Sequence, residues 1–246
     1  MTAPRPYNLV AELTYRCPLR CVYCSNPVGW REVPDALDGA LWTRAFAEAA
    51  ALGVVHVGLT GGEPSLHPDL DAIVAGAAAA GLYVHLVTAG TTLARAESPQ
   101  PEILWVLPDH HRDRPRPCMG GWASRTLVLA PDGTALPCHA AASLPGLDFW
   151  RFPEHTLAAC WSDAPGMNAF RGESWMREPC RTCPERVRDF GGCRCQAFRL
   201  AGDAAEADPC CALSPHHGVV VAARAEAEQP ARELVYRGAR IESLPR

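Results

Sequence analysis

The stretch YNLVAELTYRCPLRCVYCSNP, residues 7–27, decides how the rest of the chain is read. Its first part, YNLVAEL at 7–13, predicts a strand, and a Cys- and Pro-rich loop follows over residues 14–35. Within that loop Cys17, Cys21 and Cys24 have the spacing C-x3-C-x2-C. Three thiolates from one short loop can hold three irons of a [4Fe–4S] cluster and leave the fourth iron open to a small molecule. Thiolates also suit zinc, but a structural zinc site closes with four ligands, and no nearby Cys or His completes this one.

Downstream, residues 38–52 (DGALWTRAFAEAAAL) predict a helix, with Leu41, Ala45, Ala49 and Leu52 at helical spacing and Gly53 as its stop. Residues 54–60 (VVHVGLT) predict a short apolar strand, closed by the tight loop Gly61-Gly62-Glu63-Pro64. A second helix is expected over 68–80 and a third strand over 82–88. This alternation means βα units and a parallel sheet, an α/β fold whose ligand sites lie where strands end. Paired glycines let backbone approach a ligand closely, and Glu63 could accept from an amino group; taken alone, the segment is an ordinary βα turn. From Ala89 the pattern dissolves, apart from one apolar run, Ile103 to Leu107. Farther on, Arg125–Ala130 and Thr134–Pro137 flank Pro131-Asp132-Gly133, a hairpin signal, and short helices are expected near 156–161 and 165–171. Residues 177–217 are dense in Cys, Gly and Pro with little periodicity, a segment that would need metal to hold its shape.

Composition narrows the function classes. The chain has 246 residues, 48% of them hydrophobic, and a formal net charge of -4. Its basic residues are all Arg and scattered, which argues against nucleic acid as a partner. The longest uncharged stretch, Ala72 to Ala94, is broken by Gly76, Gly81 and Gly90, so no membrane span is expected. Met1 to Leu9 has no apolar signal-peptide core, which points to a cytoplasmic protein and makes metal a better account of 12 cysteines than disulfides. The C-terminal half carries Cys118, Cys138, Cys180, Cys183, Cys193, Cys195 and Cys211, with Asp189 six residues past Cys183. The Cys180-x2-Cys183 spacing suits metal, a zinc ribbon included. The His110-His111 and His216-His217 pairs are read as bystanders, and Cys160, in an apolar run, as buried packing.

The pattern C-x3-C-x-Φ-C together with GGEP resembles the radical S-adenosylmethionine (SAM) superfamily. The resemblance implies a [4Fe–4S] cluster on Cys17, Cys21 and Cys24 whose open iron binds SAM. Gly61, Gly62, Glu63 and Pro64 would hold the methionine amino group, and Tyr23 would lie near adenine. The longer wording ELTYRCPLRCVYCSNP, RPRPCMGGW, PDGTALPCHAA, PCRTCPERVRDFGGCRCQAF and DPCCALSPHH resembles the PqqA peptide cyclase family of pyrroloquinoline quinone (PQQ) biosynthesis, which carries a SPASM extension. That implies two auxiliary iron–sulfur clusters, [2Fe–2S] or [4Fe–4S], the first on Cys118, Cys138, Cys193 and Cys195 and the second on Cys180, Cys183, Asp189 and Cys211. Only motif position separates Cys211 from its neighbour Cys210 as ligand. The implied reaction joins Glu and Tyr side chains of the precursor peptide PqqA by a carbon–carbon bond. The implied partners are PqqA, the peptide chaperone PqqD and a reductant such as flavodoxin.

The family barrel has six βα units, and at about 30 residues each these need about 180. The 103 residues from Tyr7 to Asp109 hold about three. The expected architecture is an incomplete radical SAM (β/α) barrel over 1–109, a Cys-rich SPASM region over 110–223 and a flexible tail over 224–246. Open strand edges, association and impaired SAM cleavage are expected from so short a sheet. Two other readings stand beside the enzymatic one: a cluster-bearing remnant that binds PqqD or peptide without turnover, and a zinc-stabilised interaction protein.

Overall fold

The computed structural model describes residues 3–19, 21, 24, 26, 29–90, 110–111 and 114–227. The expectations for Tyr23, for the run Ile103 to Leu107 and for most of the tail lie outside these residues. The first strand, β1 (Asn8–Thr14), leads to helix α1 (Gly39–Leu52), strand β2 (His56–Gly61), helix α2 (Leu70–Ala79) and strand β3 (Tyr83–Leu86). After the short antiparallel pair β4 (His110–His111) and β5 (Arg114–Pro115) come β6 (Thr126–Leu129) and β7 (Ala135–Leu136). The C-terminal half adds helices α3 (Leu157–Ser162), α4 (Pro165–Asn168), α5 (Arg186–Asp189), α6 (Arg194–Ala201) and α7 (Gly218–Ala227).

The two βα units form as their patterning requires. Asp38 caps α1, its side chain accepting from Leu41 N at 2.9 Å, and Gly53 ends the helix in the left-handed conformation. Trp42, Ala45, Phe46 and Ala49 line its buried stripe. They cover the sheet face made by Leu9, Ala11 and Leu13 of β1 and Val57 and Leu59 of β2, all at most 1% exposed. Each large side chain buried there contributes about 1.5–3 kcal/mol. The helices α1 and α2 approach so closely that a Cβ at Gly76 would stand 2.4 Å from Thr43 Oγ1.

The sheet order is β3-β2-β1-β6-β7. The strands β1, β2, β3 and β6 are parallel, and β7 returns antiparallel beside β6 through the expected Pro131-Asp132-Gly133 turn. The sheet is therefore mixed rather than wholly parallel, and it carries strands from both sides of residue 109. This corrects the expectation of open edges on the β1 side. There, Leu127 and Leu129 of β6 continue the buried face next to Leu9 and Ala11. On the other side no strand pairs with the outer edge of β3 among the described residues, and Tyr83 and Val87 are 67% and 57% exposed.

The helices expected over 38–52 and 68–80 span Gly39–Leu52 and Leu70–Ala79, the second behind a 3-10 turn at Pro64–Leu66. Within 177–217, where periodicity predicted nothing regular, α5 and α6 form. Among the described residues, no helix is long and apolar enough to cross a membrane.

Candidate metal and cofactor site

The cysteine loop leaves the end of β1 beside the end of β2, and main-chain hydrogen bonds hold the two ends together. Gly62 N donates to Thr14 O at 2.7 Å, and Glu63 N to Arg16 O at 2.8 Å. Asn26 Nδ2 donates to Gly61 O at 3.1 Å. Gly61 lies at φ 126°, and a Cβ there would stand 2.4 Å from Thr14 O; one at Gly62 would stand 2.5 Å from Arg16 O. Both positions thus require glycine, because the end of β1 and the start of the cysteine loop run directly against them. Cys17, Cys21 and Cys24 are each half-buried, none is in a disulfide, and Cys24 N donates to Cys21 O at 3.2 Å.

Glu63 is 1% exposed, and its carboxylate is fully engaged within the protein. Oε1 accepts from Ser65 N, Ser65 Oγ and Thr88 Oγ1, and Oε2 accepts from Ala89 N. Burial pushes its pKa up, but these four hydrogen bonds outweigh that and hold it below the ordinary value. The side chain therefore ties the β2 end to the segment after β3.

Sequence reading missed the buried pair under the loop. Glu12, 3% exposed, accepts from Tyr15 Oη at 2.5 Å. Burial pushes Glu12 up to about 7, against the lowering effect of the Tyr15 hydrogen bond. Tyr15 packs edge-on against Trp30, with ring centroids 5.4 Å apart. A lone polar residue at one inward strand position was the only signal for Glu12.

Some of the C-terminal cysteines approach one another. Cys138 and Cys195 have their sulfurs 3.9 Å apart, although 57 residues separate them in sequence. Burial pushes Cys180 up to about 11; the Arg194 charge lowers it, and Asp189, Cys211 and Cys183 raise it again. Cys211 is raised by burial and feels Asp189 and Cys183, whereas Cys210 is raised by burial and feels Asp208 and Cys193. Cys211 and Cys180 thus both lie within electrostatic reach of Asp189 and Cys183. Asp208, 1% exposed, accepts from Cys193 N, Gln196 Nε2 and Cys210 N. Arg194, equally buried, donates to the carbonyls of Ala204, Glu206 and Gly191 and stacks over Trp175. Neither residue was singled out by motif spacing. Cys160 lies in the core as expected, fully buried and pushed up to about 12 by that burial. Among the described residues, no group of three or more His, Cys, Asp or Glu is drawn together closely enough to hold a single metal ion. A cluster that takes one thiolate per iron does not require such convergence.

A βα sheet with three thiols after its first strand and a Gly-Gly-Glu-Pro turn after its second has the build of a radical SAM enzyme. Residues 11–113 match the family model of the Radical SAM superfamily. The solved structure of Streptococcus suis SuiB bound to S-adenosylmethionine shares the fold, with a TM-score of 0.61 at 12% identity over 79% of this chain and 74% of that one. The PqqA peptide cyclase of Methylocella silvestris is 36% identical over 365 residues, covering 97% of this chain and 98% of the relative. That of Methylobacterium nodulans is 33% identical over 340 residues, covering 90% of each. The chain belongs to the PqqA peptide cyclase family of radical SAM enzymes. The span aligned with the Methylocella silvestris protein exceeds this chain's 246 residues, so that relative carries residues with no counterpart here.

Proposed function

We propose that the chain is a cytoplasmic peptide maturase of PQQ biosynthesis that cross-links Glu and Tyr side chains of a PqqA precursor peptide. The observation that carries this reading is the set of hydrogen bonds, two main-chain and one from the Asn26 side chain, that hold Thr14, Arg16 and Asn26 on either side of Cys17–Cys24 against Gly61-Gly62-Glu63. The donor set fits a [4Fe–4S] cluster with one open iron: three half-buried thiols on one loop, beside glycines that only a bare backbone permits. Cys17, Cys21 and Cys24 would hold the cluster. Gly61, Gly62 and Pro64 would border the methionine end of SAM, and Glu63 would keep that border rigid. Tyr23 is assigned to the adenine side by motif position. When bound, the cluster and SAM supply a 5′-deoxyadenosyl radical that takes hydrogen from the peptide.

The protein's own residues orient the peptide and exclude water. The sheet face bearing His56, Gly58, Tyr83 and His85 lies opposite the helix-covered face, and in a barrel it lines the interior. The C-terminal cysteines, read as a SPASM region over 110–223, would hold auxiliary clusters able to accept an electron, with Cys118, Cys138, Cys193 and Cys195 in one ligand set. The second set is Cys180, Cys183, Asp189 and Cys211. The 3.9 Å between the Cys138 and Cys195 sulfurs supports their place in one ligand set, for a [2Fe–2S] or a [4Fe–4S] cluster. PqqD would present the peptide, and a flavodoxin-like protein would deliver the electron.

The test is anaerobic incubation of the iron-loaded chain with SAM, reductant, PqqD and PqqA. A peptide lighter by two hydrogens together with 5′-deoxyadenosine supports the reading. A second reading, a remnant that binds PqqD or peptide without turnover, is favoured by the outer edge of β3, which has no paired strand among the described residues. Iron-loaded protein that binds peptide yet yields no 5′-deoxyadenosine would select it.

A further inference from the structure

The cysteine loop is a long excursion between β1 and α1, and its two ends are joined by side chains that the SAM motifs do not include. At the outgoing end, Thr14 is fully buried, and its hydroxyl donates to Asp35 Oδ2 at 2.8 Å. Arg16 Nε reaches the same oxygen at 3.0 Å. Arg16 also donates to Thr14 Oγ1 from its backbone N at 3.1 Å and from Nε at 3.2 Å. At the returning end, Arg31 Nη2 donates to Leu19 O at 2.7 Å, while its guanidinium lies 5.2 Å from the Trp30 ring centroid. Trp30 in turn packs on Tyr15. Just past Asp35 the chain is anchored to the C-terminal half, since Ala36 N and Leu37 N both donate to Pro131 O in the β6–β7 turn.

Asp35 therefore stands between two fixed points, the end of β1 and the hairpin turn. Its carboxylate draws the outgoing chain onto the returning one within three residues of Cys17. Arg31 does the same two residues past Cys17, at a main-chain carbonyl. A loop of three thiols that must keep one geometry in two oxidation states gains from such closure, because supporting hydrogen bonds orient ligands and slow their release.

We propose that Asp35 and Arg31 are positioning residues that clasp the two ends of the cysteine loop and so fix Cys17 against Gly61 and Gly62. The proposal rests on the reading of that loop as a cluster site. Loss of the Asp35 carboxylate leaves the buried Thr14 hydroxyl without this acceptor and removes the half-exposed Arg16 contact. Of these, the first is the larger effect, since exposed ion pairs contribute little.

The test uses the full chain, loaded anaerobically with iron and sulfide, as wild type and as Asp35→Ala, Asp35→Asn, Arg31→Ala and Asp38→Ala. Asp38 is the control: it caps α1, so its loss weakens the fold without touching the loop. Two quantities are read, the half-life of the cluster absorbance under an iron chelator and the electron paramagnetic resonance of the reduced cluster on adding SAM. Asp35→Ala is expected to shorten the half-life roughly three- to tenfold and to weaken the SAM-induced spectral change. Asp35→Asn, which keeps an acceptor oxygen, should lie between it and wild type. Arg31→Ala should shorten the half-life as well, and it tests the clasp even where Asp35→Ala fails to fold. Asp38→Ala should lower the thermal midpoint and leave both cluster readouts as in wild type. Equal half-lives for Asp35→Ala, Arg31→Ala and Asp38→Ala would overturn the proposal. Wild-type protein that is folded but holds no chelatable iron would overturn the cluster reading instead.

Discussion

Replacing Glu12 by Gln tests the electrostatics beneath the cysteine loop. The Glu12 carboxyl sits on β1 at 3% exposure, opposite Thr60 of β2, with Tyr15 Oη at 2.5 Å. Burial raises it from an ordinary 4.5 to about 7. Because this is an acid whose folded pKa lies above its unfolded one, the native state keeps a proton that the unfolded chain gives up between those values. The contribution of Glu12 to stability is therefore highest below about pH 4.5, falls as pH rises through the window and levels off above about 7. The full loss is about 3 kcal/mol, at 1.36 kcal/mol for each tenfold change in proton affinity. Gln keeps an acceptor for Tyr15 and cannot ionise. Urea unfolding of the anaerobic protein at about pH 5 and about pH 8 measures the difference. Wild type and Glu12→Gln should be similar at the lower pH, and the variant should be more stable by about 2–3 kcal/mol at the higher one. The same stability difference at both pH values would refute the account of Glu12 as a protonated buried acid.

Two further outcomes follow from the same geometry. Gly61→Ala would place a methyl 2.4 Å from Thr14 O at a φ of 126°, so a loss of about 2–4 kcal/mol in thermal or urea unfolding is expected; an unchanged midpoint would contradict the close approach. Glu63, held below its ordinary range, contributes stability that is present above about pH 4.5 and lost as pH falls through its folded pKa. Glu63→Gln should accordingly lower the unfolding midpoint at neutral pH by an amount worth about 1–3 kcal/mol, with a smaller deficit in acid.

Much of this architecture could be read from residue order. The spacing of Leu41, Ala45, Ala49 and Leu52 and the glycine stop at Gly53 made α1 legible, since local periodicity and capping act over a few residues, although the buried stripe is Trp42, Ala45, Phe46 and Ala49 and leaves Leu41 and Leu52 only partly buried. The thiol loop and the Gly-Gly-Glu-Pro turn were legible because their spacing is itself the chemistry. The β6 strand was expected as half of a hairpin, but nothing local to Thr126–Leu129 shows that it pairs with β1 more than a hundred residues earlier. That pairing rests on contacts between residues far apart in sequence, Leu9 with Leu127 and Ala11 with Leu129. The Glu12–Tyr15 pair, the Asp35 clasp and the Arg194 cage were invisible for a related reason. Each depends on burial or on partners distant in sequence, and a single Glu, Asp or Arg carries no periodic signature.

The central claim is that Cys17, Cys21 and Cys24 cage a [4Fe–4S] cluster with one iron open to SAM. Electron paramagnetic resonance of the anaerobically reduced protein, recorded with and without SAM and compared with Cys17→Ala, measures this directly. The account predicts a [4Fe–4S] signal that shifts when SAM is added and disappears in Cys17→Ala, while any iron held by the C-terminal cysteines remains. Folded wild-type protein that binds zinc in place of iron, or a cluster signal indifferent both to SAM and to Cys17→Ala, would contradict it.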